Sequence, residues 1–196
     1  TFKMTTKLKL VFTLLLIICF SLTVNAQDKV EREFAITPAV VPTNALKAMN
    51  EVPNSRTFKW YKEISGDKIS YEAKGTWQRK PASIEFDKNG VLEDIEITEK
   101  KRAIPDNIND QIIATLDATS SRFKIKKIQF QYNNTGEPMA IILEQISNKQ
   151  LAPFYELIVS LKIDGAYERF EYLFDSTGNF VKRFRLVERN DFNIQF

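Results

Sequence analysis

Ser65-Gly66-Asp67-Lys68 spells S-x-x-K. At that spacing a serine nucleophile and a lysine base carry out acyl transfer, provided the serine opens a helix and the lysine follows one turn later. Here the four residues form a polar turn between two alternating apolar runs, Phe58/Trp60/Ile64 and Ile69/Tyr71/Ala73, so the text match lacks the geometry. Glu72 and Glu85 are a second candidate, since two carboxyls about 5–9 Å apart can cleave a glycosidic bond. Acids that face each other across a sheet are common, however, and nothing in the sequence supplies a cleft for a sugar. Asp87 and Asn89, two apart in Phe86-Asp87-Lys88-Asn89-Gly90, suggest a calcium loop. An EF-hand needs glycine at its sixth position and glutamate at its twelfth, and neither this stretch nor Phe174-Asp175-Ser176-Thr177-Gly178 fits. The chain has no histidine and one cysteine, Cys19, inside an apolar N-terminal run. Ser-His-Asp triads, Cys-His pairs and zinc or haem sites built on His or Cys are thereby excluded. The expectation is no catalytic residue, no cofactor and no metal site.

The N-terminus accounts for the basic balance. Lys3, Lys7 and Lys9 precede the apolar run that contains Cys19, and Val24-Asn25-Ala26 follows as a small-residue cleavage site. Residues 1–26 thus read as a secretory signal peptide, with Met4 as initiator and cleavage after Ala26, and the mature protein is expected in the periplasm or outside the cell. Three of the 28 Lys+Arg lie in that segment, which leaves 25 basic residues against 25 acidic ones. The basic pI therefore argues for neither nucleic acid nor a membrane surface as partner. No later stretch reaches the roughly 20 apolar residues of a membrane span.

Two copies of one pattern must position everything else. Residues 27–40 are polar and read as a lead-in. From Val41-Pro42 a short helical pattern (Ala45, Leu46, Ala48, Met49) precedes four period-two runs: the two named above, Ala82/Ile84/Phe86 and Val91/Ile95/Ile97. From Ile104-Pro105 a longer helix (Ile108, Ile112, Leu116) precedes Ile128/Phe130/Tyr132, Tyr155/Leu157/Val159/Leu161/Ile163, Phe170/Tyr172/Phe174 and Phe180/Phe184/Leu186. The units are 41–101 and 102–196, with an insertion near 133–153 whose run from Met139 to Ile146 suits an additional strand. Each FDxxG is the turn before a unit's last strand: Asp accepts backbone N–H groups and Gly takes the left-handed conformation.

With Val41-Pro42, Val52-Pro53-Asn54-Ser55 to Trp60, Ile104-Pro105 and both FDxxG turns in view, the stretch from Val41 to Glu188 resembles the PepSY-like exported proteins of Bacteroidota. Their fold is similar to the β-lactamase inhibitor protein. The resemblance implies an α+β fold of two tandem helix-plus-four-stranded antiparallel sheet units, forming one curved sheet with helices on one face. The second unit lacks a counterpart of Trp60, and no inhibitory motif matches, so no interface residue is carried over.

Such a sheet leaves one face in water, and the phase opposite the apolar one carries residue types that anchor interfaces. The candidate interface is Tyr61, Glu72, Trp77, Arg79, Tyr167, Arg169, Arg183 and Arg185. The first reading is a non-enzymatic module that binds or inhibits an envelope or extracellular protein through this face. The alternative is a binder of a small ligand or envelope polymer, with Tyr61, Trp77 and Tyr167 as stacking platforms. A deep apolar pocket would favour the alternative, and a flat or concave wet sheet the first.

Overall fold

The computed structural model describes residues 27–187; the expected signal peptide, Cys19 and Glu188 lie outside the described residues. The strands are β1 (Gln27–Lys29), β2 (Glu31–Ile36), β3 (Lys59–Ser65), β4 (Lys68–Trp77), β5 (Lys80–Asp87), β6 (Leu92–Thr98), β7 (Phe123–Asn133), β8 (Phe154–Ile163), β9 (Ala166–Phe174) and β10 (Phe180–Leu186). The helices are α1 (Thr43–Met49), α2 (Asp106–Thr119) and α3 (Met139–Ser147). A proline stands immediately before each helix, where its missing N–H costs nothing.

All ten strands belong to one mixed sheet, in the order β1-β10-β9-β8-β7-β6-β5-β4-β3-β2. The expected single curved sheet is present, since β6 pairs directly with β7 (Ile97 opposite Phe130), but it is not a pair of four-stranded antiparallel units: β1 and β2 extend it to ten strands, and β1 runs parallel to β10. Within the stretch read as a lead-in, residues 27–40, β1 and β2 supply the two edges of the sheet. Val30 alone separates β1 from β2 in the chain. Yet Lys29 pairs opposite Leu186 on β10, whereas Glu31 pairs opposite Ser65 on β3, at the other end of the strand order. Edges tied to residues two apart must lie side by side, so the sheet curls into a nearly closed barrel.

The helices pack on the outer face of that barrel. Trp60, Ala73, Ile84, Phe86 and Ile95 meet Ala45 and Met49 of α1 and Ile142 and Leu143 of α3. Leu157, Val159, Phe170, Tyr172 and Phe174 meet Ile112 and Leu116 of α2. The stretch from Met139 to Ile146 is a helix, not the additional strand. Its buried residues Met139, Ile142, Leu143 and Ile146 follow the three-and-four spacing of one helix face. Glu51 accepts a hydrogen bond from the Ala140 amide at 2.9 Å and so holds the first turn.

The two FDxxG turns dock on helices. Asp87 Oδ1 accepts from the amides of Asn89 and Val91, each at 2.8 Å, and Asp175 Oδ1 from those of Thr177 and Asn179, each at 2.9 Å. Gly90 (φ 78°) and Gly178 (φ 90°) are left-handed. A Cβ on Gly90 would stand 2.7 Å from the Ala45 backbone nitrogen, and one on Gly178 3.1 Å from Ile108 Cγ2. Glycine is required on both counts.

Candidate functional site

Because side chains alternate along a strand, packing one face on helices commits the other to the inside of the curl. Residues of all ten strands therefore line one cavity of about 300 Å³. Its wall is acidic, with Asp28, Glu31, Glu63, Glu85, Asp94, Glu96, Glu156 and Glu171 against Lys29, Lys68 and Lys182.

Part of this charge is matched. Lys29 Nζ lies 2.6 Å from Glu31 and 2.8 Å from Glu171, and so spans the seam between the two sheet edges. Burial alone would lower the Lys29 ammonium, but these two carboxylates raise it above the ordinary lysine value. Lys68 pairs with Glu85 at 3.3 Å and Glu93 at 2.9 Å, and Lys74 with Glu33 and Glu72. Burial pushes Glu85 up, but the Ser70 hydroxyl and Lys68 outweigh it and leave Glu85 below its usual value.

Asp94, Glu96 and Glu156 form no ion pair among the described residues. Gln131 Nε2 donates to Asp94 Oδ2 at 3.1 Å, Gln129 Nε2 donates to Glu96, and Asp94 Oδ1 is buried without a hydrogen bond. Glu156 is 9% exposed and accepts no hydrogen bond among the described residues. Burial, reinforced by neighbouring carboxylates, raises Asp94 and Glu156 well above the usual carboxylate range. Burial likewise pushes Glu96 up to about 7, partly offset by Lys127. Glu63 is pushed up to about 9 by burial and by its hydrogen bond and repulsion with Glu31. A buried carboxylate without a cation takes up a proton rather than bear the desolvation cost.

The candidate residues separate into five places. Tyr61 and Glu72 stand opposite each other on the inner face, where Lys74 Nζ lies 5.1 Å from the Tyr61 ring centroid. Tyr167 and Arg169 share the phase of Glu171; Tyr167 is 65% exposed and lines an open cleft of about 540 Å³ with Arg122, Lys124 and Lys126. Trp77 is buried in the helix-side core, because it is an odd number of residues from Glu72 along β4 and so points to the other face. Arg79, in the left-handed turn between β4 and β5, is exposed. Arg183 and Arg185 lie on the outer face: an irregularity between Phe180 and Lys182 shifts the β10 register, so Lys182 and Phe184 face the cavity instead. Arg183 donates to the Tyr172 hydroxyl at 3.2 Å, and Arg185 pairs with Asp28 at 2.9 Å.

Sequence reasoning passed over Asp94, Glu96 and Glu156. The available signal was acids on the phase opposite the apolar stripe in central strands, above all the single glutamate in Tyr155-Glu156-Leu157-Ile158-Val159. Glu72 and Glu85, the notional acid pair, are cross-strand neighbours, and each is already held by a lysine and a serine hydroxyl. Glu33, Glu63 and Glu72 are close enough to share a cation, but Lys74 already bridges Glu33 and Glu72.

No family model and no curated protein matches the chain. Among solved structures it is similar to a DUF2874 family protein of Bacteroides ovatus, with a TM-score of 0.52 at 9% identity over 74% of this chain and 88% of that one. A DUF2874 family protein of Bacteroides uniformis gives 0.49 at 12% identity, over 74% of this chain and 89% of that one. A BLIP-like protein of Bacteroides fragilis gives 0.46 at 13% identity, over 79% of this chain and 93% of that one. With the Bacteroides ovatus protein, the likeness is one of fold.

Proposed function

We propose that this chain is an exported, non-catalytic binding protein whose recognition surface is the inner face of its curled sheet and the rim around it. The observation that carries the reading is the cavity wall. All ten strands contribute to a polar concavity, where a barrel with no ligand to hold would be filled by apolar side chains. The concave wet face favours the first of the two readings drawn from the sequence, with Tyr61, Tyr167 and Arg169 as the rim anchors for an envelope or extracellular protein. The alternative, a small ligand, is supported by the enclosure of about 300 Å³, at the lower end of the about 300–1,000 Å³ typical of ligand pockets. Export rests on the signal-peptide pattern, and no helix among the described residues is long and apolar enough to cross a membrane. The PepSY-like assignment, the descent of the two halves from one helix-plus-four-strand unit and the boundary near residue 101 belong to the same proposal.

The test is capture from the native envelope fraction with three baits: the mature protein, a Tyr61→Ala/Arg169→Glu variant and a Glu144→Lys variant at an exposed position of helix α3. The expected result is a partner held by the first and third baits and lost by the second. Equal recovery by all three would remove the inner face as the surface.

A further inference from the structure

We propose that the cavity is a site for a small aliphatic diammonium compound, held by Glu156 together with Asp94 and Glu96. The inference rests on the inner face being the binding surface and goes further by naming the ligand's chemistry. The three carboxyls share one wall by register. Gln131 stands opposite Glu96 on β6, Gln129 stands opposite Glu156 on β8, and Gln131 reaches both Asp94 and Glu96.

Two observations separate this group from an ordinary acidic patch. Glu156 lines the cavity, is 9% exposed and has no hydrogen-bond or ion-pair partner among the described residues; beside it Asp94 Oδ1 is buried and unsatisfied. Native proteins leave few such groups, and each calls for a partner. The molecule also shows what kind of partner fits. Lys29 lays an alkylammonium of the chain's own between Glu31 and Glu171 on the same wall. A second alkylammonium would do for Glu156, Asp94 and Glu96 what Lys29 does for those two.

The wall also favours a carbon chain between the charges over a bare ion. Leu173 stands opposite Glu156 across β8 and β9, and Phe184 opposite Glu171 across β9 and β10, so apolar surface alternates with carboxylates. Among the described residues the one carboxylate triad compact enough for a metal ion is Glu33, Glu63 and Glu72, which leaves out Asp94, Glu96 and Glu156. Carboxyls that are apart but share one wall suit a ligand whose charges are also apart.

The groups facing Glu156 are Asp94 and Glu96 from β6, Gln129 from β7, Glu171 and Leu173 from β9 and Lys29 from β1. Without a ligand, burial keeps protons on these acids to higher pH than is usual for carboxyls. An ammonium displaces them, so binding releases protons to solvent.

The test is titration calorimetry of the mature protein with 1,4-diaminobutane, n-butylamine and calcium chloride near pH 7.5, in two buffers of different ionisation enthalpy. The expected result is saturable binding of the diamine, at least about tenfold tighter than the monoamine, with proton release. Glu156→Gln keeps the shape, replaces a buried ionisable group with a neutral one and should fold at least as well; it should weaken the diamine about tenfold or more, whereas Glu144→Gln on α3 should not. Absence of diamine binding, or binding that Glu156→Gln leaves unchanged, overturns the proposal. Calcium binding without diamine binding overturns it too, but keeps the inner face as the binding surface. Failure of that broader reading shows separately, as envelope capture indifferent to Tyr61 and Arg169.

Discussion

Glu96 sits between the amides of Gln129 and Gln131, which satisfy its oxygens without supplying charge. A neutral donor makes a buried carboxyl tolerable but leaves its pKa high, whereas Lys68 beside Glu85 brings that carboxyl down. The difference has a consequence for stability. In the unfolded chain a glutamate titrates near 4.5; in the fold Glu96 titrates at about 7 and Glu63 at about 9. Between those values the folded state keeps protons that the unfolded state has lost, so raising the pH favours unfolding. Asp87 and Asp175 shift the other way, but their contribution falls away only in acid, below the usual 3.8 and, for Asp175, toward about 2. A calorimetric melting temperature measured from pH 5 to pH 9 should therefore decline. Glu96→Gln should flatten the decline and add on the order of 2 kcal/mol at pH 8.5. A melting temperature that rises over this range would show that the acids of the cavity are not buried as described.

At the scale of elements, the two FDxxG turns and the first seven apolar stripes were legible because they are local: each depends on alternation and on the conformations open to Asp and Gly. Trp77 was not. Large and aromatic, it looked like an interface anchor, but its strand parity places it in the core with Trp60 and Phe86. Trp77→Ala should accordingly cost about 3–5 kcal/mol of stability, read by chemical denaturation, rather than remove a surface contact. A loss below about 1 kcal/mol would return Trp77 to the surface. Arg183 and Arg185 were misassigned for a different reason. One irregular residue after the second FDxxG turn inverts every side chain beyond it, and no apolar pattern announces such a bulge when Phe180, Phe184 and Leu186 occur on both of its sides. Helix α3 was legible in principle, since Met139, Ile142, Leu143 and Ile146 are helically spaced, but a run so apolar also suits a buried strand.

At the scale of the whole molecule, closure of the sheet is what turns a solvated face into a cavity, and closure was not legible. It depends on β1 and β2, short polar strands parted by Val30, finding partners at opposite ends of a ten-strand order, which no local pattern encodes. Once the sheet curls, acids that would be unremarkable in water stand together with fewer lysines than they can use. The central claim is that Asp94, Glu96 and Glu156 are waiting for a cation. Carboxyl carbon chemical shifts of the labelled protein, followed by NMR through a pH titration with and without 1,4-diaminobutane, test it most directly. The result expected is that Asp94 and Glu156 ionise at higher pH than ordinary carboxyls in the free protein, and at lower pH when the diamine is added. Carboxyls that titrate in the ordinary carboxylate range, or that the diamine leaves unmoved, would contradict it.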